Sequence, residues 1–317
     1  MMDMITSILA ITIRAGTSLV FATIGEIFTE RAGILNLGIE GIMLMSAVTG
    51  FAASFYTQNL FLALLVAAAV GAAMAALHAF LTVTMRANQV VSGLSITLFG
   101  SGFASFLGQR LGPATNNFRL VGLKGARFVP ASFEGISDIP ILSAVLNQDI
   151  LSYLVYLLIP LSWFFLYKTR PGLWLRSIGE DPQTADAMGI DVIKAKYFYT
   201  ILGGVFIALG GAHLSLSYTP GWAENITGGR GWIVVALVIF SMWNPARSLW
   251  GALLFGGINA VQFRLQAAGT TIPAAFLNML PYLGTIAVLV LITWWEALSK
   301  KVGAPAALSQ AYMREDK

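Results

Sequence analysis

Apolar residues in this chain gather into long runs separated by shorter polar stretches. Measured against the roughly 20 residues that cross a bilayer, the runs predict nine spans: 5–27, 35–57, 60–84, 88–110, 150–167, 198–217, 230–243, 249–268 and 277–296. The expected architecture is an all-α polytopic membrane protein of about nine transmembrane helices, a single transmembrane domain over residues 1–317. Two spans strain the pattern: 230–243 is short, and 88–110 opens with Asn88, Gln89, Ser92, Gly93, Ser95 and Thr97. Either is a candidate for a re-entrant or broken helix. Residues 111–149, with Gly112-Pro113, Asn116-Asn117, Pro130 and Pro140, form a long external segment whose amphipathic end suits the membrane surface.

The polar stretch 168–197 lies between two strongly apolar runs and holds nine of the chain's 34 Asp, Glu, Lys and Arg residues, five of them basic. That excess places it in the cytoplasm. Alternation then puts the amino terminus outside and the tail 297–317, with Lys300, Lys301, Arg314 and Lys317, inside. Twelve basic residues fall inside and six outside, in keeping with this orientation. Within the stretch a short helix over 182–188 is signalled by Asp181 as N-cap, Pro182 at the first helical position and Gly189 as a left-handed stop. Small Ala185 and Ala187, soft Met188 and Ile190, and the charge of Asp186 suit a docking knob. They suit an ordinary surface helix equally.

Composition agrees with a membrane protein: 57% hydrophobic, 11% charged and a mean hydropathy of +0.75. The net charge of +4 follows from orienting many helices and implies no nucleic acid. With no cysteine there is no disulfide framework and no thiolate site. Asp3 stands where a basic leader region would, and the first run lacks a small-residue cleavage site, so it is expected to persist as a span.

Polar groups inside apolar runs carry the candidate chemistry. Arg14 sits near the middle of the first span, where a charge costs about 3 kcal/mol on insertion scales. Asn36 and Glu40, four apart in GILNLGIEG, share a helix face unless the glycines break the helix; Glu26, Glu30 and Arg31 precede them at the inner rim. Asn259 and Gln262 share a face of the eighth span. With Asn88 and Gln89 these groups form either a polar pathway or hydrogen-bonding glue, and the functional default for ionisable residues in a membrane favours the pathway. Gly203, Gly204, Gly210, Gly211, Gly251, Gly256 and Gly257 are spaced for close helix packing. His78 and His213 read as packing residues. Metal-ligand spacing, a P-loop and a catalytic constellation are all missing, so no cofactor and no enzymatic step is expected, and any ATP chemistry belongs to another chain.

Three stretches, GEIFTERAGILNLGIEGIMLM (25–45), IGEDPQTADAMGI (178–190) and GGRGWIVVALVIFSMWNPARSLWGALLFG (228–256), resemble the integral membrane permeases of binding-protein-dependent ABC importers. The likeness is to the ribose and branched-chain amino acid permease family, and within it to the nucleoside-uptake branch. It implies that 168–197 contains a coupling helix seated on a cytoplasmic ATP-binding subunit through Glu180, Asp181, Pro182, Ala185, Gly189 and Ile190. It further implies a second homologous permease, an extracytoplasmic substrate-binding lipoprotein and a bacterial plasma membrane. The residues alone leave open a stand-alone transporter with Arg14 and Glu40 as an ion-coupled pair. A membrane-embedded enzyme would need a nucleophile and base, or a metal set, that the chain does not display.

Overall fold

Asparagine, aspartate and threonine side chains start six of the helices in the same way, accepting backbone N–H groups that the first turn leaves unpaired. Asn59 accepts from Leu62 N at 3.1 Å, Asn88 from Val91 N at 3.1 Å and Asp191 from Lys194 N at 3.0 Å. Asp149, Thr169 and Asp181 do the same for their helices. The computed structural model describes residues 2–131, 133, 139–267, 269, 273–299 and 303–313, and among these it is all-helical. The helices are α1 (Met2–Arg31), α2 (Ile39–Thr57), α3 (Leu60–Ala79, prolonged by a π turn Phe80–Thr84), α4 (Gln89–Gly108), α5 (Pro140–Leu146) and α6 (Ile150–Lys168). There follow α7 (Arg170–Glu180), α8 (Pro182–Ala187), α9 (Val192–His213, prolonged by a π turn Leu214–Tyr218), α10 (Arg230–Ser241), α11 (Pro245–Ala267) and α12 (Ala274–Ser299). Six of these, α1, α2, α3, α4, α6 and α9, are long and apolar enough to cross a membrane. Lys300, Lys301, Arg314 and Lys317 lie outside the described residues.

Helices α1, α2 and α9 are largely buried, while α3, α4 and α6 expose most of their surface. Glycine lets the central helices touch backbone to backbone, as the small-residue pattern predicted. A Cβ on Gly203 would stand 2.6 Å from the Gly25 carbonyl oxygen of α1, and one on Gly204 would stand 2.7 Å from that of Gly71 in α3.

Several expectations are corrected. The polar start of the 88–110 run belongs to one unbroken helix: Thr97 donates to the Leu37 carbonyl at 2.7 Å and Ser92 bonds the His78 ring at 2.9 Å, whose other nitrogen meets the Leu35 carbonyl, so these two serve the turn between α1 and α2. That turn, 32–38, is non-helical, with Gly33 at φ +80°. Asn36 therefore precedes α2 and shares no helix face with Glu40. Helix α10, in keeping with its short run, has only 12 residues, about 18 Å at 1.5 Å per residue, well short of a bilayer core of roughly 30 Å. Glu26 and Glu30 are fully buried rather than at a rim; Glu26 accepts from Asn36 N at 3.1 Å and Glu30 from the Trp243 indole at 2.5 Å. His213 is not alone: its Nε2 lies 3.6 Å from a buried Asp149 oxygen across α9 and α6.

Candidate functional site

A cavity of about 740 Å³ opens where the start of α2, the middle of α4, the start of α10 and the facing parts of α11 and α12 converge. Its walls carry aromatic rings from Tyr218, Trp232, Phe263 and Tyr282, amides from Asn225, Asn259 and Gln262, and hydroxyls from Thr97, Ser101, Thr219 and Thr227. Only two lining residues are charged, Glu40 and Arg230, and they are of opposite sign.

Glu40 is engaged in full. Its Oε1 accepts from the Thr227 hydroxyl at 2.5 Å and from Gly229 N at 2.9 Å, and its Oε2 accepts from Gly231 N at 2.6 Å. The run Gly228-Gly229-Arg230-Gly231 explains itself here. Gly228 and Gly229 take φ of +55° and +82°; the Gly228 N–H closes the turn onto the Asn225 carbonyl at 2.9 Å, the N–H groups of Gly229 and Gly231 face the carboxylate, and a Cβ on Gly231 would stand 2.4 Å from Glu40 N. The anion thus sits at the start of α10, where backbone donors and the helix dipole both favour it.

Arg230 is buried. Its Nη1 donates to the Ala15 carbonyl at 2.9 Å and to Ser18 Oγ at 3.3 Å on α1, and its guanidinium lies 4.9 Å from the centre of the Tyr218 ring. The sequence signal was a basic residue held between glycines just before an apolar run.

Of the seven proposed pathway residues, three meet at the cavity: Glu40, Asn259 and Gln262. The other four lie elsewhere. Arg14 reaches Gln148 at 3.3 Å, and no contact with Glu40 appears among the described residues. Asn36 caps its own turn through Gly38 N at 2.8 Å, Asn88 caps α4 in an exposed position, and Gln89 accepts from Leu35 N at 2.7 Å.

At the other functional candidate, residues 168–197, the predicted short helix is present as α8, one residue shorter than expected, with Gly189 at φ +85°. Asp181 accepts from Gln183 N and Thr184 N, both at 3.1 Å, and the Thr184 hydroxyl holds its carboxyl below the usual carboxylate range. A longer helix, α7, precedes it. Ala185 is buried against Ile178 and Val192 with Ile190 alongside, so it packs inward and leaves the outward face to Met188, which is 79% exposed. Glu180 meets Arg31 of α1 at 4.0 Å and accepts from Ala306 N at 3.3 Å, while Ala307 N donates to the Gly179 carbonyl at 2.9 Å. Residues 303–313 thus run as a strap beneath the ends of α1 and α7.

A family model described as the permease component of branched-chain amino acid transport systems matches residues 8–293. The chain is 39% identical to a putative glucose ABC transporter permease protein of Haloferax volcanii, over 99% of both chains. It is 35% identical to a nucleoside ABC transporter permease protein of Lactococcus lactis, over 87% of this chain and 88% of the other. Against a guanosine ABC transporter permease protein of Bacillus subtilis the identity is 32%, over 84% and 86%.

Proposed function

This chain belongs to the family of permease components of branched-chain amino acid transport systems, and from that premise we propose that it is the membrane subunit of an ABC importer that carries a nucleoside inward. The observation that supports a nucleoside is the balance of the cavity. Its two charges are opposite, Glu40 is spent on the turn that starts α10, and what remains is aromatic rings, amides and hydroxyls around about 740 Å³. Such a wall suits a neutral solute with one flat aromatic half to stack and one hydroxylated half to bond. A phosphorylated or carboxylate-bearing solute would find no net positive field. Relatives named for glucose and for nucleosides bracket the choice, and the four aromatic rings favour the nucleoside.

In this reading Glu40, Asn259 and Gln262 line the pathway. Glu180, Asp181, Pro182, Ala185, Gly189 and Ile190 build the coupling segment for a cytoplasmic ATP-binding subunit, with Ala185 setting its base and Met188 its exposed contact. A second homologous permease and an extracytoplasmic substrate-binding lipoprotein complete the importer in a bacterial plasma membrane. The nine passages are α1, α2, α3, α4, α6, α9, α10, α11 and α12 with the amino terminus outside, residues 111–149 outside and 168–197 and 297–317 in the cytoplasm. Helix α10 makes its passage with the help of residues 219–229, which dip to its buried start.

The test is uptake of radiolabelled inosine, uridine and glucose by proteoliposomes holding the permeases, ATPase and lipoprotein, with and without internal ATP. ATP-dependent uptake of nucleosides is expected. Uptake of glucose alone would overturn the substrate, and uptake that follows an ion gradient without ATP would establish the stand-alone transporter instead.

A further inference from the structure

Arg230 is the one cation on the cavity wall, and the protein uses only part of it. An arginine carries five N–H donors in a fixed plane. The two on Nη1 go to Ala15 and Ser18 of α1, which locks the guanidinium in place, and Tyr218 lies under its face. Beyond Tyr218, no described residue takes the donors of Nε and Nη2. The neighbouring anion does not take them either: among the described residues the donors to Glu40 are Thr227, Gly229 and Gly231, and no ion pair joins it to Arg230.

We propose that Arg230 is a specificity-determining residue that presents these donors to the acceptor edge of a nucleobase, so that the cavity selects oxo bases over amino bases. The inference rests on the nucleoside reading above and narrows it. A guanidinium offers only donors. It pairs with the adjacent carbonyl oxygen and ring nitrogen of a 6-oxopurine in the two-pronged manner by which arginine reads guanine, whereas the 6-amino group of adenine turns a donor towards it. Burial makes the mismatch costly, because a donor facing a donor out of water leaves both unsatisfied. The pinning by α1 and Tyr218 keeps the fork from swinging away to avoid it.

The test is direct binding of tritiated inosine and adenosine to the purified permease–ATPase complex in lipid nanodiscs. The substrate-binding lipoprotein is left out so that its own selectivity does not enter. Wild type is expected to bind inosine roughly 10- to 100-fold more tightly than adenosine, the range of one charge-assisted hydrogen bond gained or lost. Arg230→Lys and Arg230→Gln should bring the two affinities together, chiefly by weakening inosine. A purely structural arginine would lower both ligands alike. Equal wild-type affinities, or an inosine preference that survives in both variants, overturns the inference and leaves nucleoside transport standing. Binding of glucose and of neither nucleoside overturns both. The comparison of two ligands on the wild-type protein stands even if a variant fails to assemble.

Discussion

Glu40 shows how a single acid can belong to both a cavity and the scaffold around it. Its carboxylate lines the cavity, yet three donors from residues 227–231 hold it. Glu40→Gln keeps the shape and removes the charge, and its amide nitrogen turns a donor towards one of the N–H groups it must face. The expected outcome is a complex that still assembles, loses on the order of 2 kcal/mol of stability and takes up nucleoside at least tenfold more slowly. Full uptake with an unchanged melting temperature would release Glu40 from both roles. That Glu40 sits among polar groups was readable from an acid in an apolar run. Its partners were not, because they lie 187 to 191 residues away and the pairing is set by the packing of α2 against α10. Asn36 misled because its spacing from Glu40 is helical while its backbone is not.

Local chemistry was the most legible at the scale of elements. Helix α8 follows its capping residues to within one position, since Asp181, Pro182 and Gly189 act on neighbours a turn away. Helix α7 is masked in the sequence because Arg170, Pro171 and Gly172 resemble a loop; Thr169 as N-cap, a proline in the first turn and the buried Leu175 and Ile178 are the signal for it. Nothing stands within 4 Å of a Cβ placed on Gly189, so a side chain there meets only the penalty of positive φ, about 1–2 kcal/mol. Gly189→Val is expected to leave membrane insertion intact and to lower ATP-driven uptake several-fold, whereas Gly189→Asn, which tolerates the left-handed region, retains it. Equal uptake by Gly189→Val and wild type would remove the stop of α8 from the coupling argument. The glycines of the central helices were legible too, because close approach in lipid leaves few other residue types. The shortness of α10 was visible as a short run, but its buried start was not.

Across the whole molecule α10 is fastened at both ends to acids of the first two helices. Glu40 holds its start, and past its end the Trp243 indole donates to Glu30 while Arg31 donates to the Trp243 carbonyl at 3.3 Å. Arg31 also meets Glu180, so contacts run continuously from the cavity to the segment proposed to meet the ATPase. Trp243→Phe removes one donor from a buried carboxylate and keeps most of the ring. The expected outcome is an intact complex whose ATP hydrolysis persists while uptake per ATP falls. A parallel loss of both activities would mean that the indole supports assembly rather than coupling. None of this chain of contacts was legible in sequence, since each link joins elements separated by more than a hundred residues.

The bonds between Glu40 and residues 227–231 also have a history in time. Thr227 is made 187 residues after Glu40, a delay of roughly ten to forty seconds at ordinary rates of synthesis. Throughout that interval Glu40, in the first turn of α2, has none of the donors that hold it in the finished protein. The acid of the second helix is therefore provided for late, by a turn made only as the tenth helix begins.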